Sequence, residues 1–163
     1  MIPWKKRAPE IANLLNPSFC AIILYQAIQE YQKKDKDGVP FPLIYLILPI
    51  ILPKNLRFKI NSRTNMVIWI QRNPEILVGF AKRANNLVSF TNEAIEFLLL
   101  QGTIKIEKGK IILGDRLSRN EIKKYAEKDS EVQECLDKSR HIARWFFYMK
   151  AEENVYAAWG VRP

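Results

Sequence analysis

The sequence predicts a mainly α-helical fold with one β-hairpin, arranged as a winged-helix-like core wrapped by N- and C-terminal helices. Three observations predict it. Apolar residues recur at helical spacing through most of the chain. One segment, Thr103 to Leu113, changes to a period of two around Lys108-Gly109. That change comes directly after a helical segment, so short helices lead into a two-stranded hairpin. With 163 residues, 48% of them hydrophobic, the chain has the material for a single compact domain. The winged-helix-like unit is placed at about 61–114, between flanking helices at 9–60 and 118–160.

Taken in order, Asn16-Pro17 is a helix start, with Asn16 as cap and Pro17 at the first helical position. The helix runs to about Lys34, with Phe19, Cys20, Ile23, Leu24, Ala27, Ile28 and Tyr31 on one side and Gln26, Glu30 and Lys33 on the other. Asp35-Lys36-Asp37-Gly38 is a polar turn. Pro42 opens a second helix through Leu52 that is apolar nearly all round and so belongs in the core, with Pro49 expected to weaken its last turn. A short basic amphipathic stretch, Lys54 to Ile60, follows.

Thr64 or Asn65 is expected to cap a helix carrying Met66, Val67, Trp69 and Ile70. Asn73-Pro74 restarts a helix with Ile76, Leu77, Phe80 and Ala81 inward, and Asn85-Asn86 is expected to end it. Thr91 is expected to cap the next, which stops at Gln101 before Gly102. In the tail, Ser118 with Glu121 and Ser130 with Gln133 have capping-box spacing. A long helix from Glu131 to about Lys150 buries Val132, Cys135, Leu136, Ile142, Ala143, Trp145, Phe146 and Met149, and a short one with Val155, Tyr156 and Trp159 closes at Gly160.

Lysine and arginine outnumber acids 26 to 17, a net charge of +9. Acidic partners or a solubilising surface both account for it. The densest basic stretch runs from Lys54 to Arg83 and, with the hairpin lysines, offers Lys54, Arg57, Lys59, Arg63, Lys105, Lys108 and Lys110 as candidate contacts to a nucleic-acid backbone. Sequence reading in a major groove is a poorer match. The helix before the hairpin, Asn92 to Gln101, has no Lys or Arg, contains Glu93 and Glu96, and is apolar enough to be packed on both sides.

Catalytic chemistry finds no support. His141 is the only histidine, the two cysteines are far apart in sequence, and the six glycines form no phosphate loop. No enzyme activity, cofactor or metal is therefore expected, and His141 is expected to be a structural side chain. Cys20 and Cys135 sit among apolar residues and read as reduced core thiols in a cytoplasmic protein. The basic Lys5-Lys6-Arg7 start lacks the apolar segment of a secretory signal. The longest apolar run, Phe41 to Leu52, is shorter than the ~20 residues of a membrane span, so no membrane partner is expected.

Arg144-Trp145-Phe146-Phe147-Tyr148, followed by Tyr156, Trp159 and Arg162, is unusually aromatic. Such residues serve equally as core and as interface hot spots; Trp145, Tyr156, Trp159 and Arg162 are the candidate protein interface. The ending from Asn154-Val155-Tyr156 to Trp159-Gly160-Val161-Arg162-Pro163 resembles the close of a bacterial family, the middle component of ABC-three-component systems. Asn16-Pro17-Ser18-Phe19-Cys20, Pro40-Phe41-Pro42-Leu43, Leu46-Ile47-Leu48-Pro49 and the region Thr91–Leu113 also resemble it, so the likeness covers nearly the whole chain. The resemblance implies a role in Lamassu-type anti-phage or anti-plasmid defence. A non-enzymatic adaptor would join an SMC-like ABC ATPase to a nuclease-like effector, with DNA reached through the complex. The alternative from the residues alone is a winged-helix DNA-binding transcriptional regulator.

Overall fold

The computed structural model describes residues 15–115, 117–127 and 129–162. The Lys5-Lys6-Arg7 start and the helical turns expected from residue 9 to 14 lie outside them. The described chain is mainly helical with one small antiparallel sheet. In order, it forms α1 (Pro17–Gln32), β1 (Val39–Pro40), a 3-10 turn (Phe41–Leu43), α2 (Ile44–Ile51), α3 (Lys54–Lys59), α4 (Met66–Arg72) and a second 3-10 turn (Pro74–Leu77). Then come α5 (Phe80–Leu100), β2 (Ile104–Glu107), β3 (Lys110–Leu113), α6 (Arg119–Ala126), α7 (Ser130–Tyr148) and α8 (Glu152–Ala158).

The local signals at several boundaries act as expected. Asn16 Oδ1 accepts from Ser18 N at 2.9 Å, with Pro17 opening α1. Asn65, not Thr64, caps α4 by accepting from Ile68 N at 2.9 Å. Between β2 and β3, Lys108 and Gly109 both take positive φ, the turn whose twist suits a two-residue hairpin. Register pairs Ile104 with Leu113 and Glu107 with Lys110.

Other boundaries differ, each for a tertiary reason. The helix expected to end at Asn85-Asn86 runs on, so α5 is continuous for 21 residues. Thr91 is therefore not a cap. It is buried in mid-helix, and its hydroxyl donates to the Leu87 carbonyl one turn back. The chain turns instead at Gly79, whose φ of 70° separates the 3-10 turn from α5. Asp129, not Ser130, caps α7, accepting from Glu131 N at 2.8 Å. Ser118 precedes α6 without a side-chain capping bond. Pro49 lies inside α2 and the helix continues past it to Ile51.

The hairpin has a third strand. β1 pairs antiparallel with β3, giving the order β1-β3-β2. The Asp35–Gly38 turn makes this possible. A Cβ on Gly38 would stand 2.4 Å from the Ile111 carbonyl oxygen, so only glycine lets the chain pass this close to β3. The sheet thus ties the hairpin to residues before 61, beyond the start of the unit read from the sequence.

α1 is the centre of the molecule. It packs mainly against α5 and α7, while α2 packs on α5. Ile23, Leu24, Tyr25 and Ile28 are fully buried. Each such side chain contributes about 1.5–3 kcal/mol of transfer free energy. Contact on two sides also buries Gln26 and Glu30, which the sequence pattern assigns to a solvent face. Both are met by arginines of α7: Arg140 donates to Gln26 Oε1 at 2.9 Å and Arg144 to Glu30 Oε1 at 2.8 Å. Burial raises the pKa of the Glu30 carboxyl, but hydrogen bonds from Lys33 and Arg144 outweigh it and hold the group below its ordinary range. Cys20 and Cys135 are free and buried, and burial pushes their thiols up to about 12 and about 11.

Candidate functional site

Three of the aromatic residues nominated in the C-terminal segment are core. Trp145, Tyr156 and Trp159 are all buried. The Trp159 ring lies 4.5 Å from Phe80 and 6.0 Å from Trp69, and Trp69 lies 5.1 Å from Trp145, centroid to centroid. Their polar atoms are engaged inside the fold. Trp145 Nε1 donates to the Thr64 carbonyl at 2.9 Å, Trp69 Nε1 to the Lys59 carbonyl at 2.8 Å, and Trp159 Nε1 to Met66 Sδ at 3.3 Å. Tyr156 Oη donates to the Pro42 carbonyl at 2.6 Å. Two of the four candidate interface residues, Trp145 and Trp159, therefore hold α7 and the end of α8 to the segment 54–80, and a third, Tyr156, ties α8 to Pro42. The fourth, Arg162, is exposed and borders a surface groove of about 530 Å³ with Phe41, Tyr45, Val88 and Val161.

The candidate cations divide as sharply. Arg57 is 1% exposed and cannot reach a phosphate. Its guanidinium bonds Glu134 at 3.0 Å, Glu131, and the Ile51 and Leu52 carbonyls at 2.9 and 3.1 Å. It thereby satisfies the C-terminal end of α2 and fastens α3 to α7. Burial works against its charge, but the Glu134 and Glu131 carboxylates prevail and raise its pKa. Lys59 pairs with Glu75, and Lys110 stands 3.6 Å from Asp35 and 4.0 Å from Asp37. Lys54, Arg63, Lys105 and Lys108 are exposed, with no ion pair among the described residues.

The helix before the hairpin is not packed on both sides. The last two turns of α5 bury Ala94, Ile95 and Leu98 but expose Phe97, Leu99 and Leu100, the last at 79%. Ile106, on β2 just beyond, is also exposed. A second run of exposed apolar residues lies on the segment that precedes α5: Phe58 at 78%, Val67, Ile68 and Val78 at 80%. The Lys59–Glu75 pair links α3, which carries Phe58, to the 3-10 turn before Val78. Isolated exposed hydrophobes are ordinary; several close together are a candidate for contact with a partner. Sequence reasoning missed both runs: it assigned the apolar residues of the helix before the hairpin to a core, and it placed Val67 on a helix without singling out Phe58, Ile68 or Val78.

Over residues 4–163 the sequence matches the family described as ABC-three component (ABC-3C) system Middle Component 3. The chain belongs to this family. No curated protein and no solved structure matches it. A middle component has partner components in a complex, which gives the two apolar runs of this family member a context. Among the described residues no group of His, Cys, Asp and Glu is placed to hold a metal ion, and no helix is long and apolar enough to cross a membrane.

Proposed function

We propose that this middle component is a non-enzymatic, cytoplasmic adaptor that links an SMC-like ABC ATPase to a nuclease-like effector and controls it, in a Lamassu-type anti-phage or anti-plasmid system. The observation that carries the proposal is the placement of the two exposed apolar runs. Val78 stands just before the start of α5 and Leu100 at its end. Leu100 lies 20 positions after Phe80 in a continuous helix, and at a rise of ~1.5 Å per residue that is about 30 Å. An adaptor needs two such separated surfaces, one for each partner.

The order helix, strand, helix, helix, hairpin, with strand order β1-β3-β2, supports reading α1, β1, α2, α5, β2 and β3 as a winged-helix unit. The segment 53–79 is then inserted between its second and third helices. In the third helix Asn92 is bonded to Tyr45 Oη at 2.7 Å, and Glu96 and Leu100 face solvent. That is protein-facing chemistry and a poor match to base edges. Expression of the tagged protein from its native operon tests the proposal. Co-purification of an ATPase and an effector is expected, and recovery of the protein alone at physiological salt would refute it.

A further inference from the structure

A second cavity, of about 580 Å³, opens between the loop before α4 and the outer face of α7. That size suits a small organic ligand. Its described lining contains two arginines, Arg63 and Arg144, and no carboxylate. Ser62 and Asn65 add short polar side chains at its loop side, and the ring of Tyr148, 64% exposed, stands at its mouth. His141 forms part of the wall and is more than nine-tenths buried, with no hydrogen-bond partner for Nε2. Arg144 Nη2 stands 3.4 Å from His141 Nδ1. The other arm of the same guanidinium, Arg144 Nη1, donates to Glu30 Oε1 at 2.8 Å. Arg63 is exposed and makes no ion pair among the described residues, so it adds a positive charge that the fold does not use.

We propose that this cavity binds a nucleotide. Arg63 meets the phosphate, Arg144 adds its charge beside it while keeping its bond to Glu30, and the base lies against the Tyr148 ring. Arginines pair with phosphate through paired N–H groups, and an exposed aromatic ring accepts any base by stacking. The nucleotide is either free or a unit of a single strand, since both present the same phosphate and base.

The single histidine makes the test direct. The ring resonances of His141 are followed by NMR while AMP, a short oligothymidylate or inorganic phosphate is added. A saturable shift with AMP or with the oligonucleotide is expected. AMP as the tighter ligand identifies a free nucleotide, and the oligonucleotide as the tighter identifies a strand. Arg63→Ala, a change at an exposed side chain, is expected to weaken binding about tenfold or more, equivalent to about 1.4 kcal/mol, with the melting temperature unchanged. Tyr148→Ala should weaken the nucleotide and leave inorganic phosphate unaffected. Absence of a saturable shift with any probe at millimolar concentration would overturn the proposal. So would inorganic phosphate binding as tightly as AMP, or Arg63→Ala binding like the parent.

Discussion

The two ends of α5 treat the same kind of side chain in opposite ways. At its start Phe80 is fully buried against Trp159, within a cluster that also holds Trp69 and Trp145. At its end Leu100 is almost as exposed as a side chain on an extended chain, with Phe97 and Leu99 beside it. The difference is whether another segment of this chain crosses the helix. α8 and α4 cover the first end, and no described element covers the apolar residues at the other. The lesson concerns where an interface is sought. Aromatic richness marks a core wherever the rings and their N–H groups find partners inside the molecule, as all three of these indoles do. An interface is marked by apolar side chains that the fold leaves uncovered.

Removing Trp159 should have the largest effect on this contrast. Trp159→Ala leaves a large void among Phe80, Trp69 and Met66, and a loss of about 3–5 kcal/mol in urea-unfolding stability is expected. A change below about 1 kcal/mol would return Trp159 to the surface. Arg57 comes next. Arg57→Ala leaves the carbonyls of Ile51 and Leu52 and two carboxylates without their donor. Because Glu131 and Glu134 are partly solvated, the expected loss is about 2–3 kcal/mol. A change in DNA affinity at intact stability would contradict the buried role.

A smaller effect is expected from pH. Burial, then Arg144 and Lys138, lower the pKa of His141 to about 4, whereas the unfolded chain titrates near 6.5. Between those values the unfolded state binds a proton that the folded state does not. Stability is therefore complete above about pH 6.5 and falls toward pH 4, by at most about 1.4 kcal/mol per unit. The slope between pH 6.5 and 4.5 should shrink in His141→Gln, measured by urea unfolding at each pH. The smallest effect on folding belongs to Leu100→Glu at the uncovered end of α5. There the stability should stay within about 0.5 kcal/mol of the parent.

What could be read from the sequence was what is decided locally. The caps at Asn16 and Asn65, the turn at Asp35–Gly38 and the tight turn at Lys108-Gly109 each depend on two to four neighbouring residues. The mainly helical class with a hairpin followed from periodicity alone. The failures lie where distant segments decide. Asn85-Asn86 are poor helix formers, yet packing of Ala84, Ala94 and Leu98 against α1 and α2 carries α5 through them. β1 is two residues long and exists only because β3 lies beside it. Arg57 looks like any basic surface residue until α7 brings carboxylates 74 and 77 positions away to it. Of the nominated interface residues only Arg162 reaches solvent, and the uncovered run Phe97–Ile106 was hidden by its resemblance to core.

Co-purification from the native operon, with Phe97→Glu and Leu100→Glu combined in the tagged subunit, decides whether the uncovered end of α5 is a docking surface. The altered protein should fold with a melting temperature close to the parent's and lose at least one partner component from the purified complex. Recovery of the full complement of partners in parental amounts would contradict the assignment of the uncovered end of α5 as a docking surface.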